Sequence, residues 1–152
     1  GIDVRIIRLS NPYGCGQNLF GRQGFVGIAI GHLLKHEPIL LRDAGRPIRD
    51  FIYIDDVSEA LTLAGTLEYE PSILNIGSNV GHSLAQVLQM LRDITGQTID
   101  ITSAKPQKID IPESVLDVSL AQKCIFFKSH FSMREGLEKT LRHHKISILG
   151  NK

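Results

Sequence analysis

Cysteine is scarce in this chain and isolated where it occurs. Cys15 and Cys124 stand far apart and in no Cys-x-x-Cys or Cys/His ligand spacing, which speaks against a disulfide framework and against a cysteine-based zinc site. Reduced thiols and a cytoplasmic location are the expectation. No run of about 18 apolar residues occurs, and the first residues lack the basic, apolar and small-residue succession of a signal peptide, so neither a spanning nor a secreted protein is expected. An excess of one charge is missing too. Seventeen Lys and Arg face 16 Asp and Glu, net +1, with no long run of like charge, so nucleic acid and a membrane surface are not the expected partners. Internal repeats and low-complexity segments are absent. The chain opens on Gly1 and enters a β-like run at once, which suggests a segment whose natural start lies upstream.

What is present amounts to one domain's worth of sequence, 152 residues, enough for a single core. The β-branched run at 3–9 ends at Ser10-Asn11-Pro12 and predicts a buried strand entering a loop. Apolar positions from Phe25 to Leu34 predict a helix over 23–36 that ends before Pro38, with Gly27 and Gly31 on a closely packed face. Strands at 38–41 and 51–54, with glycine and proline between them, predict a hairpin. A helix from Val57 follows, capped by Asp56 and ended by Pro71, and then a strand at 73–76. Ser83 and Gly96 bound the next helix, 98–102 is a further strand, and helices start near Ser119 and span about 133–143. This alternation is α/β, but one opening strand followed by small mixed elements falls short of a complete doubly wound sheet.

The richest stretch for chemistry is Arg49 to Val57, an arginine and three aspartates around an aromatic and β-branched strand. Arg49 offers a planar fork of donors suited to a phosphate or diphosphate; alternatively it pairs locally with Asp50 or Asp55. Asp55 and Asp56 have the plainer role of capping the helix that follows. Asn11 falls just beyond the carboxyl end of a strand, where open α/β sheets place ligands. Its amide either donates to a ligand oxygen or closes an Asx-turn at Asn-Pro. The glycines at 14, 16 and 21 do not make a dinucleotide turn, because the third comes too late and no helix follows a strand directly. His32 and His36 lie one helical turn apart without a third ligand nearby, and His143 and His144 sit in a basic tail. Cys15 has no histidine adjacent in sequence to activate it.

The motifs fall in a telling order: Arg8-Leu9-Ser10-Asn11-Pro12-Tyr13-Gly14, a helix, Glu37-Pro38-Ile39, Arg49-Asp50-Phe51-Ile52-Tyr53, Asn75-Ile76-Gly77-Ser78, Asp110-Ile111-Pro112, and Arg134-Glu135-Gly136-Leu137. In that order they resemble the C-terminal half of UDP-glucose 4-epimerase-like enzymes of the NAD-dependent epimerase/dehydratase family, the extended short-chain dehydrogenases. The resemblance implies the last parallel strands of a Rossmann-type fold plus a small mixed α/β substrate domain. It assigns 1–145 to the substrate-binding part, with 3–9 and 73–76 in the parent sheet, and 146–152 to a tail. Asn11 would contact the nucleotide-sugar phosphate, Arg49 would clamp the diphosphate and Asp110 would bond the ribose. Leu40, Leu41 and Arg42 would lie along the nucleobase, Lys108 or Lys105 would stand in for a phosphate cation, and Ser10 and Pro12 would border the nicotinamide. This chain departs from the pattern at Cys15, usually proline, at Arg42, usually aromatic, at Asp43-Ala44-Gly45, usually Gly-Asp-Gly, and at Gln107, usually arginine.

Such enzymes use a glycine turn for NAD and a Tyr-x-x-x-Lys pair. Tyr13, Tyr53 and Tyr69 are followed four places on by Gln17, Val57 and Ile73, so the chain alone is expected to be inactive, with NAD held mainly by the other half. The implied parent is a cytoplasmic, homodimeric sugar-nucleotide 4-epimerase serving surface-polysaccharide synthesis, its dimer formed through that other half. Dehydratase or decarboxylase chemistry within the family, or a non-catalytic binding module, are the alternatives.

Overall fold

One extended segment changes partners at Ser10. Before it, Ile6–Leu9 (β1) runs parallel to Ile73–Ile76 (β5), with Ile6 opposite Ile73 and Leu9 opposite Ile76. After it, Asn11–Tyr13 (β2) runs parallel to the end of Ile48–Tyr53 (β4), with Asn11 opposite Phe51. The Ser10 amide donates to Ile76 O at 2.9 Å and marks the point of divergence. These are features of a computed structural model that describes residues 4–69, 73–105 and 111–149. Lys108 and Asp110, and Pro71 as a helix stop, lie outside the described residues.

The remaining strands are Ile39–Arg42 (β3), Gly81–Ser83 (β6), Ile101–Ala104 (β7) and Glu113–Ser114 (β8). The helices are Phe25–Lys35 (α1), Ile54–Thr66 (α2), Leu84–Thr95 (α3), Ser119–Ile125 (α4) and Met133–His143 (α5). The fold is α/β with parallel pairs, as expected, and the helices at 84–95, 119–125 and 133–143 stand where their caps and periodicity put them. Helix α1 is the periodic core of the longer 23–36 span, closed by His36 in the left-handed region at φ 54°. Strand β7 begins three residues later than the sequence pattern suggested.

The expected hairpin between 38–41 and 51–54 does not form. β3 pairs in parallel with β7 instead, Ile39 opposite Ile101. The start of β4 is taken on both sides, by β6 antiparallel over 48–50 and by β8 parallel over 48–49, while 51–53 pair with β2, so the end of β4 nearest the turn is closed to β3. Between the two strands the chain turns at Asp43–Gly45 with φ of 49°, 50° and 72°, and Arg46 bonds back to Asp43.

The helix expected from Val57 begins three residues sooner, directly from β4, with Tyr53 as an N-cap that makes no side-chain bond. Asp56 is therefore not a cap. It is 1% exposed and accepts from Ser129 Oγ at 2.8 Å and from the amides of His130 at 3.0 Å and Phe131 at 3.3 Å, tying the approach to α5 onto the β4–α2 junction. Asp55 pairs with Lys139 of α5 at 3.0 Å. Both carboxylates still gain from sitting in the first turn of a helix.

Helix α3 is the best specified locally. Ser83 Oγ accepts from Gln86 N at 3.1 Å, Gln86 Oε1 accepts from Ser83 N at 2.7 Å, and Gly96 closes the other end at φ 69°. This reciprocal cap satisfies two otherwise orphaned donors. Ser83→Ala is expected to lower stability by about 1 kcal/mol, read as a shift in the urea midpoint at unchanged slope.

Two apolar cores result. The larger gathers Tyr13, Phe51, Ile30, Leu88 and Leu137 between β2/β4 and helices α1, α3 and α5, and Ile146, beyond the last helix, packs into it. The smaller joins β5 to α2 and α4 through Leu74, Ile76, Ala60 and Ile125. Val4, Ile6 and Leu9 of the first strand region stay exposed. Among the described residues no helix is long and apolar enough to cross a membrane.

Candidate functional site: a polar cleft at the strand switch

A cleft of about 470 Å³ opens where β1 gives way to β2. Ser10, Asn11, Pro12, Gln17 and Arg49 line it, with the first turn of α1 across from them and Phe51 and Leu84 as apolar wall. Its position beyond the carboxyl end of a parallel strand, where pairing partners change, is where open α/β folds bind ligands.

Three features of the cleft suit an anion. Arg49 is the one charged side chain among the described lining residues. Its guanidinium donates to Ile48 O at 2.7 Å and, among the described residues, pairs with neither of the aspartates proposed for it. Asp50 points the other way and is fully buried. It accepts from Ser78 N at 2.8 Å, Ser78 Oγ at 2.7 Å, Leu116 N at 3.3 Å and Asn79 N at 3.4 Å. The opposite directions follow from strand alternation, and among the described residues they leave most of the Arg49 fork free.

The second feature is the start of α1. Its N-cap, Gly24 at φ 82°, offers no side-chain acceptor, and its first turn contains no acidic residue. The first amides of a helix without such a cap are unsatisfied donors at the positive end of the helix dipole. Gln23, Gly24, Phe25 and Val26 present that end to the cleft, an arrangement suited to a phosphate.

The third is unmet hydrogen-bonding capacity. Ser10 Oγ and Gln17 Oε1 are both buried without a partner among the described residues, and both residues line the cleft. Buried polar atoms are ordinarily paired, so two orphans in one cleft point to a polar ligand. Asn11 Nδ2 donates to Asp50 O at 2.7 Å, across the β2–β4 pair. That bond replaces the Asx-turn alternative and holds the amide at the rim, with its oxygen and second N–H available.

The structure thus brings Ser10, Asn11, Pro12 and Arg49 together. It does not bring Leu40, Leu41 or Arg42 to the cleft lining: Leu41 is a core side chain at 2% exposure, while Leu40 and Arg42 face outward on the β3–β7 pair. Cys15 lies beside the cleft with its sulfur 3.1 Å from Tyr53 Oη. Burial pushes the phenols of Tyr13 and Tyr53 well above their ordinary value, so both stay protonated donors; Tyr13 Oη donates to Met133 O at 3.2 Å. The α1 terminus and Gln17 were not singled out from sequence. The available signal was Gln23-Gly24-Phe25, a helix start with no Ser, Thr, Asp or Asn to cap it.

Known proteins converge on one family. The profile described as the NAD dependent epimerase/dehydratase family matches residues 1–77. A putative UDP-glucose 4-epimerase from Methanocaldococcus jannaschii is 28% identical over 145 residues, 95% of this chain and 47% of that protein. The crystal structure of UDP-glucose 4-epimerase from Thermotoga maritima with UDP-glucose superposes with a TM-score of 0.86 at 30% identity, over 93% of this chain and 45% of that one. The Thermus thermophilus UDP-glucose 4-epimerase in complex with NAD follows at 0.81 and 28%, over 91% and 45%. The chain spans about half the length of the relatives it matches. On the family profile covering residues 1–77, and with neighbours of the same kind in sequence and structure, the chain belongs to the NAD dependent epimerase/dehydratase family and is UDP-glucose 4-epimerase-like.

Proposed function

We propose that the cleft holds the diphosphate of a UDP-hexose, and that this chain is the substrate-binding portion, residues 1–145, of a cytoplasmic NAD-dependent sugar-nucleotide 4-epimerase. The observation that carries this is the convergence on one cleft of the Arg49 fork, the uncapped start of α1 and the unpaired Ser10 and Gln17 oxygens. Guanidinium and helix amides are matched to phosphate oxygens in charge and geometry. Asn11 at the rim adds a donor for a phosphate or sugar oxygen. The exposed strand β3, with Leu40 and Arg42, is the part we assign to the nucleobase; Leu41 contributes backbone there, its side chain being committed to the core. Asp110 keeps the ribose role that the family pattern gives it, and Lys108 stands in for the arginine that the pattern has at Gln107.

NAD, when bound, supplies the hydride acceptor. The residues described here fit only the edge of such a cofactor: Ser10 has a free buried hydroxyl and Pro12 an exposed ring on the cleft, while the glycines at 14, 16 and 21 stand in turns that no helix directly continues. The role of this chain's own residues is to hold the substrate. Positioning by a phosphate anchor remote from the reacting carbon converts binding energy into orientation. Dehydratase or decarboxylase chemistry would use the same anchor, and the family profile embraces epimerases and dehydratases alike.

The discriminating test is competition at equilibrium. Labelled UDP-glucose is expected to bind saturably, to be displaced by UDP and to be unaffected by free glucose. Displacement by glucose but not by UDP, or no saturable binding, would show that the cleft is not a nucleotide-diphosphate site.

A further inference from the structure

His82 is the cross-strand partner of Arg49: in the antiparallel β4–β6 pair the two residues stand directly opposite. Directly opposed residues project from the same face with Cβ atoms about 5 Å apart. His82 lines a second hollow, of about 400 Å³, that shares Phe51 with the Arg49 cleft. The two hollows therefore flank one stretch of β4, with Arg49 and His82 side by side along it.

The charge balance leaves a role open there. The diphosphate diester of a nucleotide sugar carries two negative charges near neutral pH. Arg49 supplies one positive charge, and the α1 terminus contributes about half a unit. Among the described residues of the cleft there is no second cation; Lys108, given a phosphate role above, lies outside them.

Resting on the nucleotide-sugar reading of the cleft, we infer that His82 is a titrating second cation of the diphosphate clamp, neutral in the free protein and protonated when the ligand is bound. Burial holds the His82 imidazole below its ordinary value, and the nearby Asp50 carboxylate partly opposes that. The other charged groups facing it are Arg49 on β4, and His130 and Arg134 across the second hollow. Arg134 is engaged by Asp93 and Glu138, and His130 by Glu59. A diphosphate beside Arg49 adds two negative charges within reach of the imidazole and raises its pKa. Binding takes up a proton, so affinity rises as pH falls through the raised, ligand-bound value and levels off below the free-state one. Each unit of upward shift corresponds to about tenfold in affinity across the titration.

UDP-glucose is the suitable probe, because its diphosphate diester does not itself titrate near neutrality. Calorimetric titrations near pH 7 in buffers of different ionisation heat are expected to show net proton uptake, with affinity rising about tenfold from pH 8 to pH 6. His82→Gln should abolish both the uptake and the pH dependence; His130→Gln should keep both. Binding without proton uptake, or a pH dependence that persists in His82→Gln, would overturn the role of His82 and leave the cleft standing. No binding of UDP-glucose at either pH would overturn the cleft assignment and this inference with it.

Discussion

Asp50→Ala is expected to destabilise the protein by about 3 kcal/mol or more, because it strands several buried donors at once. The carboxylate is fully buried and accepts from three backbone amides and one hydroxyl, contributed by the Ser78–Asn79 turn after β5 and by Leu116 after β8. Removing it strands those donors, and a buried unpaired donor costs about 1–3 kcal/mol. Against a total stability of about 5–15 kcal/mol, the loss is a large fraction. Gly77 completes the site: a Cβ there would run into the Asp50 carboxylate. Asp50→Asn preserves shape but turns an N–H₂ toward amides that also donate, so it is expected to cost about 2 kcal/mol, the price of an unpaired donor. Urea unfolding monitored by circular dichroism reads both. An Asp50→Asn midpoint equal to wild type would show that the carboxylate's charge and second acceptor do not matter. The functional consequence follows from strand alternation, since Asp50 fixes the β4 register that turns Arg49 to the cleft.

Gly31→Ala is the second large effect, and its sign opposes the usual one. Alanine in place of a helical glycine ordinarily stabilises by about 1 kcal/mol. Gly31 lies inside α1, and a Cβ there would collide with the Leu19 carbonyl, a backbone atom that cannot rotate away. The helix must shift off the 17–20 loop, which we expect to cost about 3 kcal/mol. Gly27 is a contrasting case on the same helix. Its Cβ would meet the Gln17 side chain at 2.9 Å, which can move, so Gly27→Ala should be tolerated better by about 1–2 kcal/mol. Thermal unfolding of the two variants side by side tests the ordering; a Gly31→Ala protein as stable as wild type would show that the loop does not bear on the helix. Because Gln17 and the α1 terminus both line the cleft, Gly31→Ala should also weaken ligand binding.

Much of the fold was legible where local signals act alone. Ser83 with Gln86, Gly96, and the capping box that Ser132 makes with Glu135 fix helix ends through contacts within a few residues. The β3–β4 hairpin that the turn residues suggest fails because both edges at the start of β4 are claimed by residues 31 or more positions away in sequence, which no turn signal in residues 42–47 reports. Asp56 reads as a cap in the sequence for the same reason: its partners, Ser129 to Phe131, lie more than 70 residues downstream. Within the site, Asn11 and Arg49 could be named from residue type and strand position. The α1 terminus left only a missing capping residue as its signal, and the Gln17 oxygen left none, since its significance lies in a bond left unmade in the folded chain.

The central claim is that Arg49 anchors a nucleotide diphosphate, and the most direct measurement is calorimetric titration of wild type, Arg49→Lys and Arg49→Ala with UDP-glucose at low and moderate salt. The predicted result is saturable binding by wild type that weakens with salt. Arg49→Ala should lose about 30-fold to 100-fold in affinity, corresponding to about 2–3 kcal/mol. Arg49→Lys should fall between them, because it keeps the charge but not the fork. Unchanged affinity in a folded Arg49→Ala protein would contradict the account.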